Sequence, residues 1–171
     1  MDRQEDLIAH SRGPAETAQI AIVVAAELVA GDVVVLGGDL GAGKTTFTKS
    51  LGAALGIDEH ITSPTFALAQ RYDDGRFVLH HLDVYRIANI EEVADLALPE
   101  LYESGGVVVI EWGDTITPAL PSDYLLIRFG FGDDDDERTL QMTAVGPAWQ
   151  ARSDRLRERL ADLIDRQDAP C

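Results

Sequence analysis

The stretch "DVVVLGGDLGAGKTT", residues 32–46, decides the fold because it joins an apolar run to a glycine-rich loop. The run Asp32–Leu36 shows no alternation of polar and apolar residues, which is typical of a strand buried on both faces. Thr45–Leu55 follows the loop and is predicted to form a helix that ends at Gly56. Between them, residues 38–45 match the pattern G-x-x-x-x-G-K-[ST] at every fixed position. The sequence therefore predicts a phosphate-binding loop and a nucleoside triphosphate ligand.

Each kind of residue in this loop has a separate task at the phosphates. Glycines let the backbone curl so that successive N–H groups point at the β-phosphate. The helix that follows adds the positive end of its dipole. Lys44 would reach the β- and γ-phosphates, and Thr45 would offer its hydroxyl to Mg²⁺.

A second group for Mg²⁺, a carboxylate acting through water, is expected at the end of a neighbouring buried strand. The stretch "VVVIEW" fits, because four apolar residues lead directly to Glu111. The usual residue at this place is Asp, and the extra methylene of Glu111 would let it orient an attacking water as well. The alternative is a strand-end carboxylate in solvent. Trp112 is expected to pack at the sheet edge, with stacking near the nucleotide as the alternative.

Two further segments bear on this site. Thr65, in "SPTF", could place its hydroxyl or backbone at the γ-phosphate and order its loop only with triphosphate bound; the alternative is a Ser-Pro turn before a strand. In "HHLDVYR", period-two alternation puts His81, Asp83 and Tyr85 on one strand face. Asp83 could polarise a water or support Mg²⁺ through one, or it could be a hydrogen-bonded strand residue. The histidines are expected to be structural.

Helical and buried-strand patterns alternate through the first two-thirds of the chain. They predict an α/β fold, a single P-loop domain over residues 1–171 with a largely parallel central sheet flanked by helices. The other predicted elements are a helix from Pro14 towards Gly31, a strand with Phe66, Leu68, Gln70 and Tyr72 on one side, a turn at residues 73–75, a strand over Arg76–Tyr85, a helix over Ile90–Asp95 capped by Asn89, a strand over 107–110, a late β-hairpin of Tyr124–Phe131 and Arg138–Val145, and a C-terminal amphipathic helix over about residues 147–167.

The composition narrows the class of partner. A formal net charge of −16 argues against strong direct binding of nucleic acid or a membrane surface, because phosphate contacts need Lys and Arg. The longest apolar run, Ile20–Ala26, is too short to span a bilayer, and the acidic N-terminus does not resemble a signal peptide. Cys171 is the one cysteine, which fits a reducing cytosol. We therefore expect a cytoplasmic protein.

Motifs that are absent from the sequence argue against some classes of nucleotide-binding protein. It has no Asn- or Thr-Lys-x-Asp motif for a guanine base, so ATP is preferred over GTP. A small-molecule kinase is one alternative, although the arginines that it needs are not clustered in a lid-like segment between two helices. A nucleotide-gated binding module, which exchanges ATP without hydrolysing it, is another.

Four motifs in order carry a resemblance to a known family. "GDLGAGKTTF", "TSPTF", "HLDVYR" and "VIEWGD" resemble the TsaE (YjeE) family, the small bacterial ATPases needed to make threonylcarbamoyladenosine (t6A) in tRNA. The resemblance is strongest over residues 31–112 and extends more loosely to nearly the whole chain.

The resemblance implies a P-loop ATPase that works on a protein partner. In this family the ATPase docks on the TsaD–TsaB heterodimer, which transfers the carbamoyl group to tRNA. ATP binding and hydrolysis would reset that complex between turnovers, and the tRNA would be held by the partner complex. Hydrolysis by the isolated chain is expected to be slow, because the sequence shows no obvious arginine finger in cis.

The resemblance also implies roles for individual residues. The loop would bind the phosphates, Thr65 would belong to the switch loop, Asp83 would be a catalytic or metal-supporting carboxylate, and the start of the first helix around Glu16 and Thr17 would lie at the adenine. The expected nucleotide-binding residues are Gly38, Asp39, Leu40, Gly41, Ala42, Gly43, Lys44, Thr45, Thr46, Thr65 and Thr17; the expected catalytic residues are Lys44, Asp83 and Glu111; and the expected Mg²⁺ ligands are Thr45 and Glu111.

Two segments depart from the family pattern. The C-terminal helix is long and rich in arginine, and we expect a solvated amphipathic helix in preference to a partner-docking one. The acidic run Asp133–Asp136 is expected to be a solvated loop, and it puts none of the functional expectations in doubt.

Overall fold

The computed structural model describes residues 6–164 of the 171-residue chain. Its strands are β1 (Leu7–Ser11), β2 (Val33–Gly37), β3 (Ala69–Tyr72), β4 (Leu79–Asp83), β5 (Val107–Glu111), β6 (Tyr124–Phe131) and β7 (Arg138–Val145). Its α-helices are α1 (Pro14–Glu27), α2 (Lys44–Ala54), α3 (Ile90–Val93), α4 (Leu98–Glu103), α5 (Pro147–Arg159) and α6 (Ala161–Ile164). Two 3₁₀ helices span Ala94–Leu96 and Gly113–Ala119.

These strands form one mixed sheet in the order β1-β7-β6-β2-β5-β4-β3. β2 lies parallel to both β5 and β6, and β4 lies parallel to β5. Antiparallel pairs flank this parallel core, with β3 beside β4 at one side and β6, β7 and β1 at the other. The predicted α/β fold with a parallel core is confirmed, and the late hairpin has the predicted bounds.

The central strands β2 and β5 are buried over their full length because helices cover both faces of the sheet. On one face, Val34 belongs to an apolar cluster with residues of α1, α2 and α5. On the other face, Val33 and Val35 pack with residues of α3, α4 and the 3₁₀ helix after β5. Burial of each such side chain stabilises the fold by about 1.5–3 kcal/mol. The apolar runs read from the sequence thus fix where these strands lie and end.

The parallel core brings the carboxyl ends of three strands to one edge of the sheet. The register pairs Leu36 of β2 with Glu111 of β5, and Asp83 of β4 with the same Glu111. The loop over residues 38–43 leaves β2 at this edge, and α2 begins directly after it. In open α/β sheets this edge is where ligands bind.

The predicted C-terminal helix is two helices in the described chain, because α5 ends before Leu160, whose φ and ψ of −101° and 7° are not helical. One apolar stripe of these two helices is buried: Trp149, Leu156, Leu160 and Leu163. Arg152 adds a buried ion pair, donating to the two carboxylate oxygens of Asp32 at 2.6 and 2.9 Å. The predicted helix end at residues 165–167 and Cys171 lie outside the described residues.

The strand predicted to begin near Phe66 is wrong at its start, because the chain turns over residues 65–67. The backbone N–H of Leu68 donates to the carbonyl oxygen of Pro64 at 2.7 Å, and Leu68 has a left-handed φ of 65°. Phe66 is therefore 87% exposed and does not share a strand face with the buried Tyr72. The β-structure is limited to β3, and its partner β4 is shorter than the predicted Arg76–Tyr85.

Several short elements were predicted incompletely. Asn89 caps α3 as predicted, its side-chain oxygen accepting from the backbone N–H of Glu92, but the α-helix is one turn that continues as a 3₁₀ helix. β1, α4 and the 3₁₀ helix after β5 were not predicted. Among the described residues, no helix combines the length and the apolar character needed to cross a membrane.

Candidate functional site

The loop between β2 and α2 has a backbone that its glycines make possible. Gly38 has a φ of 124°, and a Cβ there would lie 2.6 Å from the carbonyl oxygen of Phe129 in β6. Gly43, with a φ of 106°, is the N-cap residue directly before α2. Both backbone conformations are ones that residues with a side chain rarely adopt. The loop thus reaches the N-terminus of α2 in a curled form suited to an anion.

Lys44, the first residue of α2, folds back over this loop. Its Nζ donates to the carbonyl oxygens of Gly38 at 2.7 Å and Asp39 at 2.8 Å, and it lies 4.0 Å from the centre of the Trp112 ring. Burial lowers the pKa of Lys44 below its ordinary value, while four nearby carboxylates, foremost Glu111, oppose that shift. The lysine is therefore placed at the predicted phosphate site with its charge offset by carboxylates.

The two residues predicted to serve Mg²⁺ lie in contact. Thr45 donates its hydroxyl to Oε2 of Glu111 at 3.0 Å, and Glu111 is only 3% exposed. The contact follows from the fold, because Thr45 opens α2 at the edge where β5 ends at Glu111. The alternative of a strand-end carboxylate in solvent is therefore wrong for Glu111.

The switch-loop residue and the second carboxylate also lie together. Thr65 donates its hydroxyl to Oδ2 of Asp83 at 2.9 Å, with Ser63 at 3.5 Å from the same oxygen. Oδ1 of Asp83 accepts from the backbone N–H of Tyr85 at 2.9 Å. Because Asp83 is paired with Glu111 across β4 and β5, the two carboxylates are neighbours at the sheet edge.

These groups line one open cavity of about 290 Å³, which we call the phosphate cavity. Its lining residues are Leu40, Gly41, Gly43, Lys44, Thr45, Thr46, Ser63, Thr65, Asp83, Tyr85, Glu111 and Trp112. In the part of the chain that the structure describes, no arginine is among them. The predicted loop, lysine, hydroxyl and carboxylates thus converge on a single space.

Thr17 lines a second cavity of about 140 Å³, the Thr17 cavity, next to the phosphate cavity. The two cavities share Gly41, Gly43 and Thr46 of the loop. Thr17 is held by a hydrogen bond between its hydroxyl and that of Ser11 at 2.8 Å. The remaining lining comes from Pro14, Ala42, Asp136 and Arg138. Thr17 therefore lies beside the loop, and its place near the base stays a prediction.

The late hairpin contributes to this site in a way that the sequence did not predict. Arg138 donates through Nε to the carbonyl oxygen of Ala42 at 3.1 Å, so β7 touches the phosphate loop. The acidic run Asp133–Asp136 is exposed, as expected of a solvated loop, and its Asp136 also lines the Thr17 cavity. Only the long-range pairing of β7 brings these residues to the loop.

Other missed residues surround the carboxylates. His81, expected to be merely structural, is fully buried and its Nε2 lies 2.7 Å from Oε1 of Glu111. Period-two alternation along β4 was a signal for it, since His81 and Asp83 share a face. Asp114 lies against the end of β2, where a Cβ on Gly37 would be 2.7 Å from its Oδ2. Trp112 packs as expected but also faces Lys44 and lies 4.8 Å from the Tyr85 ring.

A larger cavity of about 610 Å³ lies beside β3 and is lined by residues such as Leu68, His80, Ile87 and Leu101. It contains none of the loop, lysine and carboxylate groups that converge at the phosphate cavity. We therefore place the candidate functional site at the smaller cavity, on chemistry and not on size.

The donor set fits Mg²⁺ bound together with phosphates. Within residues 6–164, no group of three or more His, Cys, Asp or Glu side chains could hold a metal ion alone. Mg²⁺ is usually held by one or two carboxylates together with substrate phosphates and waters. The Thr45 hydroxyl and the Glu111 carboxylate supply that kind of partial site.

Comparison with known proteins agrees with the motifs. The family model for "Threonylcarbamoyl adenosine biosynthesis protein TsaE" matches residues 11–140. The tRNA threonylcarbamoyladenosine biosynthesis protein TsaE of Bacillus subtilis is 45% identical over 140 residues, which cover 80% of this chain and 85% of that protein. The protein of the same name from Treponema pallidum is 49% identical over 111 residues, or 65% of this chain and 82% of that protein.

The fold agrees as well. The crystal structure of Bacillus subtilis YdiB superposes with a TM-score of 0.76 at 35% identity, covering 92% of this chain and 98% of that chain. The family match, the relatives and the fold confirm the resemblance carried by the four motifs. The chain therefore belongs to the TsaE family of tRNA threonylcarbamoyladenosine biosynthesis proteins.

Proposed function

We propose that this chain serves t6A modification as a Mg²⁺-dependent ATPase that binds the TsaD–TsaB heterodimer and resets it through ATP binding and hydrolysis. One observation carries the proposal: Lys44, the Thr45–Glu111 pair and the Thr65–Asp83 pair line one cavity at the carboxyl edge of the parallel strands. This arrangement has the parts that phosphoryl transfer needs, namely a phosphate cradle, a metal site and carboxylates that could orient water.

Lys44 and the loop would bind the phosphate chain. The Nζ of Lys44 already faces the loop, where two backbone carbonyls hold it. Charged phosphate oxygens would replace these neutral acceptors, because hydrogen bonds between ionised partners are the stronger ones. The N-terminus of α2 adds its dipole at the same point.

Thr45 and Glu111 would hold Mg²⁺, and Glu111 and Asp83 would act on water. The ion would neutralise charge that develops on the phosphates. Glu111 would orient a water towards the γ-phosphate, assisted by Asp83, its neighbour on β4. The Thr65 hydroxyl, now bound to Asp83, would turn to the γ-phosphate and order its loop when triphosphate is present.

The nucleoside would lie across the loop, with the base near Thr17. ATP is favoured over GTP because the sequence has no guanine-binding motif. The TsaD–TsaB partner would supply an activating contact, since no arginine of the described residues lines the phosphate cavity. With a net charge of −16 on this chain, the tRNA would be held by that partner complex.

The two lysines of the chain give a matched test of this proposal. Lys44 is buried at the loop, whereas Lys49 is exposed on α2. ATP affinity would be measured with a fluorescent ATP analogue, and hydrolysis by phosphate release. Loss of two charge-assisted hydrogen bonds, about 1.5–3 kcal/mol each, predicts that Lys44→Ala binds at least about 100-fold more weakly. Lys49→Ala should match the wild type.

Three outcomes would speak against the proposal. Equal ATP affinity of Lys44→Ala and Lys49→Ala would place the nucleotide elsewhere. Tight ATP binding without phosphate release, even with the heterodimer, would favour a nucleotide-gated binding module. Transfer of the γ-phosphate to a small acceptor instead of water would favour the kinase alternative.

A further inference from the structure

His81 is a buried histidine whose partner is a carboxylate of the proposed ATPase site. It is 0% exposed in β4, and its Nε2 lies 2.7 Å from Oε1 of Glu111, itself 3% exposed. The other oxygen of Glu111, Oε2, accepts from the Thr45 hydroxyl at 3.0 Å. Each oxygen of the Glu111 carboxylate thus has its own hydrogen-bond partner.

We propose that His81 is a positioning residue that fixes the orientation of the Glu111 carboxylate so that Oε2 faces Thr45 and the Mg²⁺ site. The inference rests on the proposed function. The terminal torsion of a glutamate is broad and roughly two-fold, so the chain of Glu111 alone does not select one orientation. A donor fixed on Oε1 does select it.

The contact with His81 is the one that would persist during the ATPase cycle. If the Thr45 hydroxyl held Mg²⁺, Oε2 of Glu111 would lose that donor and would be free to serve the same ion. His81 lies on the other oxygen and needs no rearrangement. It would therefore hold Glu111 in both states of the site.

The tautomer of His81 agrees with this role. Within residues 6–164, its Nδ1 is buried and has no hydrogen-bond partner. With the ring proton on Nε2, His81 donates to Glu111, and the unpaired Nδ1 is a hydrogen-bond acceptor without a proton. A proton on Nδ1 would instead bury an N–H without an acceptor, which costs more. The network thus assigns the Nε2–H tautomer, which is the one that can orient a carboxylate.

His80, the next residue, offers a matched control. It faces the opposite side of β4, lines the larger cavity beside β3, and lies against Gly106, where a Cβ would be 2.8 Å from its Nε2. Replacing it changes a partly buried histidine of the same strand without touching Glu111. His80→Gln should therefore leave the metal dependence of nucleotide binding unchanged.

The test measures how nucleotide binding depends on the Mg²⁺ concentration, and it does not rely on ATP turnover. A fluorescent ATP analogue would be titrated into the full chain at a series of Mg²⁺ concentrations and in EDTA, for the wild type, His81→Leu, His81→Gln, His81→Asn and His80→Gln. Groups that orient metal ligands typically contribute 10–100-fold to metal affinity. We expect His81→Leu to need about 10–100-fold more Mg²⁺ for half-maximal tightening while its affinity in EDTA stays that of the wild type.

The two amide variants separate positioning from packing. The Gln amide can reach the position of Nε2 and should restore most of the Mg²⁺ response, whereas the shorter Asn amide cannot. This comparison also decides the matter if His81→Leu fails to fold. Equal Mg²⁺ midpoints for Gln and Asn, or a wild-type midpoint in a folded His81→Leu, would overturn the inference alone. A wild-type chain whose nucleotide binding ignores Mg²⁺ would overturn the proposed function and this inference with it.

Discussion

Glu111→Gln removes one negative charge from the centre of the site while keeping the length and shape of the side chain. In the wild type, Oε1 accepts from His81 and Oε2 accepts from Thr45. The Gln carbonyl can keep the His81 contact, and its NH₂ group then faces the Thr45 hydroxyl, which can rotate and accept. Both contacts survive as neutral hydrogen bonds, so the free energy of unfolding should change by only about 1–2 kcal/mol.

Hydrolysis should respond far more strongly than folding does. If Glu111 orients and activates the attacking water, its loss should lower the rate by about 10²–10⁴-fold, or about 3–5 kcal/mol of barrier at 1.36 kcal/mol per tenfold. At saturating Mg²⁺, nucleotide binding depends mainly on Lys44 and the loop, and its Kd should stay within about tenfold. The two quantities should therefore separate clearly in one variant.

The assay is single-turnover phosphate release from Mg-ATP, together with the Kd of a fluorescent ATP analogue. Glu103→Gln is the matched control, because Glu103 is exposed at the end of α4 and does not line the phosphate cavity. It should behave as the wild type in both measurements. Phosphate release by Glu111→Gln at the wild-type rate would refute the role given to Glu111.

Two predictions concern the scaffold and can be read from chemical denaturation. Arg152→Met should lower the free energy of unfolding by about 3–5 kcal/mol, because it leaves the Asp32 carboxylate buried without its ion-pair partner. The control Arg12→Met, on the exposed Arg12–Glu16 pair, should lower it by less than about 1 kcal/mol. Equal losses in the two variants would contradict this. Burial, and secondarily Arg71, lower the pKa of His80 below 6.5 in the fold. Below pH 6.5, His80 therefore binds a proton more readily in the unfolded chain than in the folded one. The free energy of unfolding of the wild type should fall on acidification more steeply than that of His80→Gln, by at most about 1.4 kcal/mol per pH unit. Parallel pH profiles of the two proteins would contradict this.

The phosphate loop could be predicted from the sequence because its information is local. An apolar run, spaced glycines and one lysine fix a strand, a turn and a helix start within residues 32–46. Glu111 could be placed for a similar reason, since a buried parallel strand must end at the same sheet edge as its neighbour. Residue type and spacing were sufficient to predict these features, because residues close together in the chain determine them.

The remaining features depend on pairing between distant segments. β1 exists because Leu7–Ser11 pairs with β7, which nothing in its own sequence shows. The contact of Arg138 with the loop follows from the same hairpin. The turn before β3 was misread because Leu68 adopts a left-handed φ of 65°, which a residue with a side chain seldom does. The His81–Glu111 contact required the pairing of β4 with β5 to be known.

We propose that this TsaE-family chain couples ATP hydrolysis to the TsaD–TsaB heterodimer. The most direct measurement is phosphate release from Mg-ATP by the purified full chain, with and without TsaD–TsaB. We expect slow phosphate release by the chain alone and a clear increase with the heterodimer, and we expect Lys44→Ala to abolish release in both cases. Release that is absent or unchanged when the heterodimer is added, although ATP binds tightly, would contradict the proposal.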